Sequence, residues 1–319
     1  MKKWIVALAV GFLFLNIPVT AGAANTLIPV GQVVGLELQN NTVTVAAFEG
    51  DSCAKRAGLE VGDRLLTIDD RQITCSQDVH KALEQSQGSV RIQVQRGESV
   101  STLRVEPAIT PDGPKLGIYL RQGVTGIGTV TYYDPESKTF AALGHGINDS
   151  TGQLLTLTGG HIYGAKVVSV RKGRSGEPGQ LIGSLPDTRP LGELTKNTAQ
   201  GVFGSGALSP AAQPLPVGSP ESVKPGSATI LSTVSGSTPR EYSVEIIKIY
   251  PAARHSGRNM LLRVTDPALL EATGGIVQGM SGSPIIQSGK IVGAVTHVLV
   301  NDPTTGYGIF IENMLDAAS

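Results

Sequence analysis

The sequence predicts a mainly β protein, and three observations carry that reading. Short apolar runs recur along the chain with turn residues between them, the spacing of sandwiches and barrels. The 319 residues include 40 Gly and 19 Pro without a three-residue period, which sets collagen aside and points to many turns. Only a few short stretches read as helices. Lys+Arg and Asp+Glu number 26 each, so the formal net charge is zero and no basic surface for nucleic acid is expected. With only 16% charged residues, the composition is not that of a disordered chain either. The length suits two domains.

Residues 1–24 read as an address. Lys2 and Lys3 precede an apolar run from 4 to 19, broken by Asn16 and Pro18, and small residues follow through Ala23 and Ala24. These are the parts of a secretory signal, with an uncleaved membrane anchor as the alternative. Either way the body of the protein lies outside the cytoplasm. The exported chain has two cysteines, Cys53 and Cys75, a count that allows one disulfide or two free thiols. Two soft ligands are too few for a structural zinc site, and no metal or cofactor is expected.

Residues 27–108 form the first domain. Alternating runs at 32–38, 42–48, 64–68 and 90–95 read as strands. Helix-like pieces lie at 52–58 and 76–84, the second with Ser76 as N-cap and Val79 and Leu83 four apart. The stretch Arg56-Ala-Gly-Leu-Glu-Val-Gly-Asp-Arg-Leu-Leu-Thr-Ile-Asp69 resembles the core of bacterial PDZ domains. Gly58 ends a helix, Gly62 and Asp63 turn, and Leu65, Leu66 and Ile68 enter the core. That resemblance places Val34, Gly35, Leu36, Glu37 and Leu38 at the loop where a PDZ domain receives a peptide carboxylate. Val79, Leu83 and Leu38 then line the groove or simply fill the core. Residues 107–115 read as a linker.

Residues 116–319 form the second, glycine-rich β domain. Strands are expected at 126–133, 139–144, 154–158, 166–170, 228–234, 242–250, 260–264 and 290–298, an irregular crossing at 207–225, and a final helix at 312–318. Chemistry concentrates at three points. His145 follows an apolar run and sits between Gly144 and Gly146, with room to approach a partner. Gln278-Gly-Met-Ser-Gly-Ser-Pro284 has the Gly-x-Ser-Gly-x-Pro form of a chymotrypsin-type nucleophile loop. Such a turn aims the N–H groups of Gly279 and Ser281 at one spot, where an oxyanion would develop. The α/β-hydrolase elbow does not fit, because Ser283 stands where its closing glycine belongs. Asp266 ends an apolar run and is a candidate acid for orienting His145, but Asp before Pro267 is also a good helix N-cap. Asp149 is the local rival, and spacing does not choose between them.

At these motifs the chain resembles the stage IV sporulation protein B peptidases, exported PDZ-containing serine peptidases of the chymotrypsin-like clan. The matching strings include Gly126-Ile-Gly-Thr-Val-Thr-Tyr-Tyr-Asp-Pro135, Ala142-Leu-Gly-His145, Gly274-Gly-Ile-Val-Gln-Gly-Met-Ser-Gly-Ser-Pro-Ile-Ile286 and Asn301-Asp-Pro-Thr-Thr-Gly-Tyr-Gly308. The resemblance implies an N-terminal PDZ domain followed by a double β-barrel peptidase. It makes His145 the base, Ser281 the nucleophile and Asp266 the orienting acid. It also implies self-cleavage near the N-terminus and export into the space between the forespore membranes. There the family cuts membrane-bound regulators of an intramembrane protease that activates a late sporulation sigma factor. Asp266 lies close before Ser281, whereas the clan's acid comes from the first barrel. Ser52-Cys53 also departs from the family's proline-containing PDZ turn.

His297 follows the nucleophile on the strand that walls the specificity pocket in such folds, and is a candidate pocket residue. His80, His161 and His255 belong to no motif and read as structural or exposed. Two alternatives to a regulatory peptidase are a non-catalytic PDZ-based binding protein and a heat-shock-type protease-chaperone. The latter usually carries its PDZ after the protease.

Overall fold

The computed structural model describes residues 26–149, 152–251 and 257–319. The expected leader at 1–24 and His255 lie outside them.

The architecture is three β units. Alternation builds the clearest strands: Val90–Arg96 buries Val90, Ile92 and Val94 and exposes the residues between. Val90–Arg96 pairs with Arg64–Ile68 on one side and Ser99–Val105 on the other. These strands, the short helix Cys53–Arg56 and the helix Ser76–Glu84 close over a core that includes Val43, Leu65, Ile68, Val79 and Leu83. This is the PDZ unit.

Two long strands run out of it into the first barrel. Val33–Phe48 and Ile118–Asp134 pair along nearly their whole length, with an irregularity between Leu38 and Val43. Beyond that break, Val33 to Leu38 leave the PDZ sheet. The first barrel runs Ile118–Asp134, Thr139–Ala142, Gly201–Gly206, Pro190–Thr198, Gly159–Gly164 and Val33–Phe48, whose pairing with Ile118–Asp134 closes the ring. So the first barrel draws a strand from before the PDZ unit, although the rest of its chain comes after. Two β-type runs expected from sequence, 32–38 and 42–48, are one continuous strand. The expected strand at 154–158 is only an isolated bridge at Leu154. The expected linker at 107–115 instead holds the hairpin Ala108–Thr110 with Gly113–Lys115.

The second barrel is closed by Gly226–Ser232, Arg240–Ile249, Met260–Val264, Asp302–Phe310, Lys290–Leu299 and Pro284–Gln287. Between the barrels lies a shared apolar seam. Leu27, Tyr132 and Phe203 come from the first barrel side, Ile291 and Ile309 from the second, and Met314 from the last helix, Ile311–Ala318. Each large side chain there contributes about 1.5–3 kcal/mol on burial, which locks the barrels' relative placement. The cleft between them is therefore a fixed frame for chemistry.

Candidate active site

The nucleophile loop is built from helix Pro267–Thr273 onward. Gly274 ends that helix in a left-handed conformation, φ 75°. The chain then turns through Gly279 (φ 99°) and Gly282 (φ 98°) before entering Pro284–Gln287. Ser281 stands between those two glycines. Its hydroxyl donates to the Thr296 carbonyl at 2.8 Å.

Two peptide groups in this loop have fixed directions. The Gln278 carbonyl accepts from Leu181 N–H (2.8 Å), and the Met280 carbonyl accepts from Ser283 N–H (3.0 Å). A trans peptide points its N–H opposite its C=O. The N–H groups of Gly279 and Ser281 are thereby turned the other way, and among the described residues neither has a hydrogen-bond acceptor. Two free donors side by side, at the buried Gly279 and the half-buried Ser281, are ready for an oxyanion. Leu181 lies on the hairpin Lys166–Arg171 with Gln180–Ser184, which the sequence reading did not connect to the site.

The first barrel clamps the same loop. The Thr129 hydroxyl donates to the Gly279 carbonyl at 2.7 Å, and Thr129 N–H donates to the Ser281 carbonyl at 3.0 Å. A methyl group on Gly282 would lie 2.6 Å from Leu143 N, so the nucleophile loop touches the turn that carries the histidine.

His145 follows the strand Thr139–Ala142. Leu143 (φ 71°) and Gly144 (φ 68°) are both left-handed, and they swing the chain out of the strand. That conformation is unusual for leucine and marks stored strain. Asn197, at the end of strand Pro190–Thr198, holds the loop behind the ring. Its Oδ1 accepts from Ile147 N–H (2.9 Å), and its Nδ2 donates to the carbonyls of Ile147 and Leu155, both at 2.8 Å. The sequence reading missed Asn197, since one asparagine at a strand end has no distinguishing neighbours.

His145 Nδ1 lies 2.9 Å from the Gly146 carbonyl. A carbonyl only accepts, so Nδ1 carries the proton and Nε2 keeps the lone pair a base needs. Burial holds the imidazole below its ordinary pKa, and the Gly146 bond opposes that effect.

The acid expected to orient His145 is engaged with a helix start. Asp266 is the N-cap of helix Pro267–Thr273, accepting from Leu269 N–H at 3.0 Å through one oxygen and from Ser243 N–H at 3.3 Å through the other. In this structure both carboxylate oxygens of Asp266 are engaged by backbone N–H groups rather than by His145. Asp149 accepts from Gln153 N–H within its own loop at 3.2 Å. The partner on Nδ1 is the Gly146 carbonyl.

His297, expected in a specificity pocket, lies beside the base itself. The two ring centroids are 5.1 Å apart and the planes are tilted by 40°. Desolvation, the nearby His145 and the Arg258 charge hold His297 down to about 4. The Arg258 guanidinium packs over the Tyr307 ring, 5.3 Å from its centroid.

The PDZ unit has its own groove, and it is not where the sequence reading put it. Val34, Gly35, Leu36, Glu37 and Leu38 pair on both edges, with Gly159–Gly164 and with Ile118–Asp134, so they offer no edge to a peptide. That placement of the carboxylate loop is corrected. The groove runs between helix Ser76–Glu84 and the start of Ile118–Asp134, lined by Ser76, Val79, His80, Leu83, Leu116 and Ile118. The Leu116 carbonyl accepts from Ala54 N–H (3.2 Å) and the Ser52 hydroxyl (2.9 Å), which turns Gly117 N–H away from them. Gly117 is left-handed, φ 68°. Cys53 Sγ faces the Lys115 and Leu116 carbonyls, Cys75 is the residue before helix Ser76–Glu84, and both cysteines are free. The disulfide that the count allowed is therefore not formed. The signal overlooked in the sequence is Lys115-Leu116-Gly117-Ile118, a glycine between apolar residues just before a strand.

A family model described as SpoIVB peptidase S55 matches residues 113–315, and a PDZ-domain model matches residues 33–106. Among solved structures, the chain is similar to the PDZ domain of the SdrC-like protein from Listeria monocytogenes. The identity is 25%, over 25% of this chain and 87% of that one, with a TM-score of 0.23. No curated protein matches the chain.

Proposed function

We propose, for a chain that belongs to the SpoIVB peptidase S55 family and is thus a serine peptidase of that type, that Ser281 is the nucleophile and His145 its base. The observation that carries this reading is the pair of oriented, unpaired N–H groups of Gly279 and Ser281 beside the Ser281 side chain. The reaction requires Ser281 Oγ to turn from the Thr296 carbonyl to His145 Nε2, a change between staggered wells about Cα–Cβ. His145 takes the hydroxyl proton as Ser281 Oγ attacks a peptide carbonyl, and the two N–H groups receive the oxyanion. The imidazolium then protonates the leaving amine, and water releases the acyl group by the same path in reverse. The Gly146 carbonyl fixes the tautomer, while Asp266 acts at a distance by capping the helix that feeds the nucleophile loop.

The proposed wider role is supported by the family resemblance and the PDZ groove. The chain is exported across the cytoplasmic membrane, by family resemblance into the space between the forespore membranes. It cleaves itself near the N-terminus and cuts membrane-associated regulators during endospore formation, leading to activation of a late sporulation sigma factor. The groove beside Leu116 and Gly117 receives a peptide C-terminus from a substrate or regulator. The competing reading is a non-catalytic PDZ-based binding protein.

The test is a time course of intact mass for the purified protein beside Ser281→Ala. Trimming in the first and none in the second is expected. Trimming at the same rate in both would remove Ser281 from the chemistry, and fluorophosphonate labelling that spares Ser281 would do the same.

A further inference from the structure

The His145–His297 pair has a property that general-base chemistry does not use. The two imidazoles lie side by side, and an imidazole nitrogen is a good ligand for borderline transition metals. Their spacing suits one shared ion. Two imidazoles bound to a tetrahedral zinc through nitrogens at about 2.0–2.1 Å have ring centres about 5 Å apart. The observed centroid separation is 5.1 Å.

We propose that His145 and His297 form a two-imidazole site for a borderline divalent cation such as Zn²⁺, and that its occupancy switches the peptidase off. The blocking step rests on His145 being the base; the binding step does not. With Nδ1 hydrogen-bonded to the Gly146 carbonyl, Nε2 is the one lone pair on the His145 ring. A cation held there takes the electron pair that would accept the Ser281 proton. Ca²⁺ and Mg²⁺, which take oxygen ligands, do not compete.

Two features set the strength of the site. Among the described residues no group of three or more histidines, cysteines or carboxylates is placed to hold a metal. Water therefore completes the coordination, and binding is far weaker and more reversible than at a four-ligand structural site. The Arg258 charge lies close enough to act on His297 and opposes a cation.

The test uses the Ser281→Ala protein, in which self-cleavage cannot confuse the result. Calorimetric titration with zinc chloride is expected to show one site. Affinity should fall at least about tenfold when either His145→Gln or His297→Gln is added, since even outer-shell changes at zinc sites cost about 10–100-fold. Arg258→Gln should tighten it. Absence of binding, or the same affinity in either histidine variant, would overturn the site. Because a variant may also lose its fold, histidine ring NMR signals of the Ser281→Ala protein give a second reading. Zinc should move those of His145 and His297; movement confined to His80 or His161 overturns the proposal. In the wild type, zinc should suppress fluorophosphonate labelling and chelator should restore it. Undiminished labelling at saturating zinc would overturn the switch. A wild type that never labels would count against Ser281 as nucleophile, and the calorimetry would still decide the metal site.

Discussion

Asp266 caps Leu269: its carboxylate accepts that residue's N–H at 3.0 Å, at the start of the helix that leads into the nucleophile loop. A triad acid and a helix cap fail differently when the charge is removed. Asparagine caps nearly as well as aspartate, whereas Asp-to-Asn in a working triad lowers kcat by about 10⁴. Asp266→Asn is therefore expected to keep activity within about tenfold, with a small loss from the amide facing Ser243 N–H. Asp266→Ala should lower stability by about 1 kcal/mol and depress Tm. Side-by-side kcat and melting curves check this, and a collapse of kcat in the folded asparagine variant would restore Asp266 as the acid.

Thr129 ties the first barrel to the oxyanion loop through its hydroxyl bond to the Gly279 carbonyl, 2.7 Å long in a buried setting. Thr129→Val keeps the shape and deletes the donor. Leaving that carbonyl unpaired costs about 1–3 kcal/mol. The loop keeps both of its own N–H groups, so kcat should fall by about tenfold, less than the roughly 100–1,000-fold cost of losing an oxyanion donor. KM should hardly change. Steady-state kinetics on a peptide substrate separate these terms, and a change confined to KM would mean that the loop does not need this tie.

What the sequence made legible follows from where its physics is local. The turn at Gly279-Met280-Ser281-Gly282 was readable because only glycine tolerates those backbone angles. Val90–Arg96 and Met260–Val264 were readable because their own side chains alternate or cluster. The strands Gly159–Gly164, Pro190–Thr198 and Gly201–Gly206 were not. They are rich in glycine and polar residues, and part of their pairing is distant in sequence: Gly159–Gly164 lies beside Val33–Phe48, and Gly201–Gly206 beside Thr139–Ala142. Val34 to Leu38 misled because an apolar strand buried on both faces resembles a PDZ segment as much as a barrel stave. Asp266 was ambiguous because a capping aspartate and a catalytic one share the same local sequence. Asn197 and Leu181 act only through tertiary contacts, which no local pattern encodes.

The pH response follows from the two histidines. Both are held below the ordinary imidazole value of 6.5, His297 down to about 4. The unfolded chain therefore binds their protons first as pH falls. Their contribution to stability is complete above 6.5 and is lost progressively down to about 4. The base is likewise free at neutral pH, so kcat/KM should rise along an acid limb centred below 6.5 and be flat through neutrality. A pH–rate profile with paired thermal melts checks both, and an acid limb centred above 6.5 would mean that His145 is not held neutral by burial.

Gly282 is a point of close contact between the two halves of the site. Its φ of 98° is unfavourable for any side chain. A methyl group there would lie 2.0 Å from the Thr129 carbonyl oxygen and 2.6 Å from Leu143 N, both backbone atoms that cannot rotate aside. Gly282→Ala must therefore push the nucleophile loop away from the strand that presents His145. Conformational strain alone costs about 1–3 kcal/mol, and the displaced loop loses the Thr129 N–H bond to the Ser281 carbonyl as well. Displacements of about 1 Å in a catalytic pair cost roughly 100-fold in rate. The expected variant is folded, less stable and at least that much slower, with its PDZ unit unaffected. Peptide capture by the groove at Leu116 and Ile118 provides the internal control. Activity retained at the wild-type level would show that Ser281 and His145 do not depend on this contact.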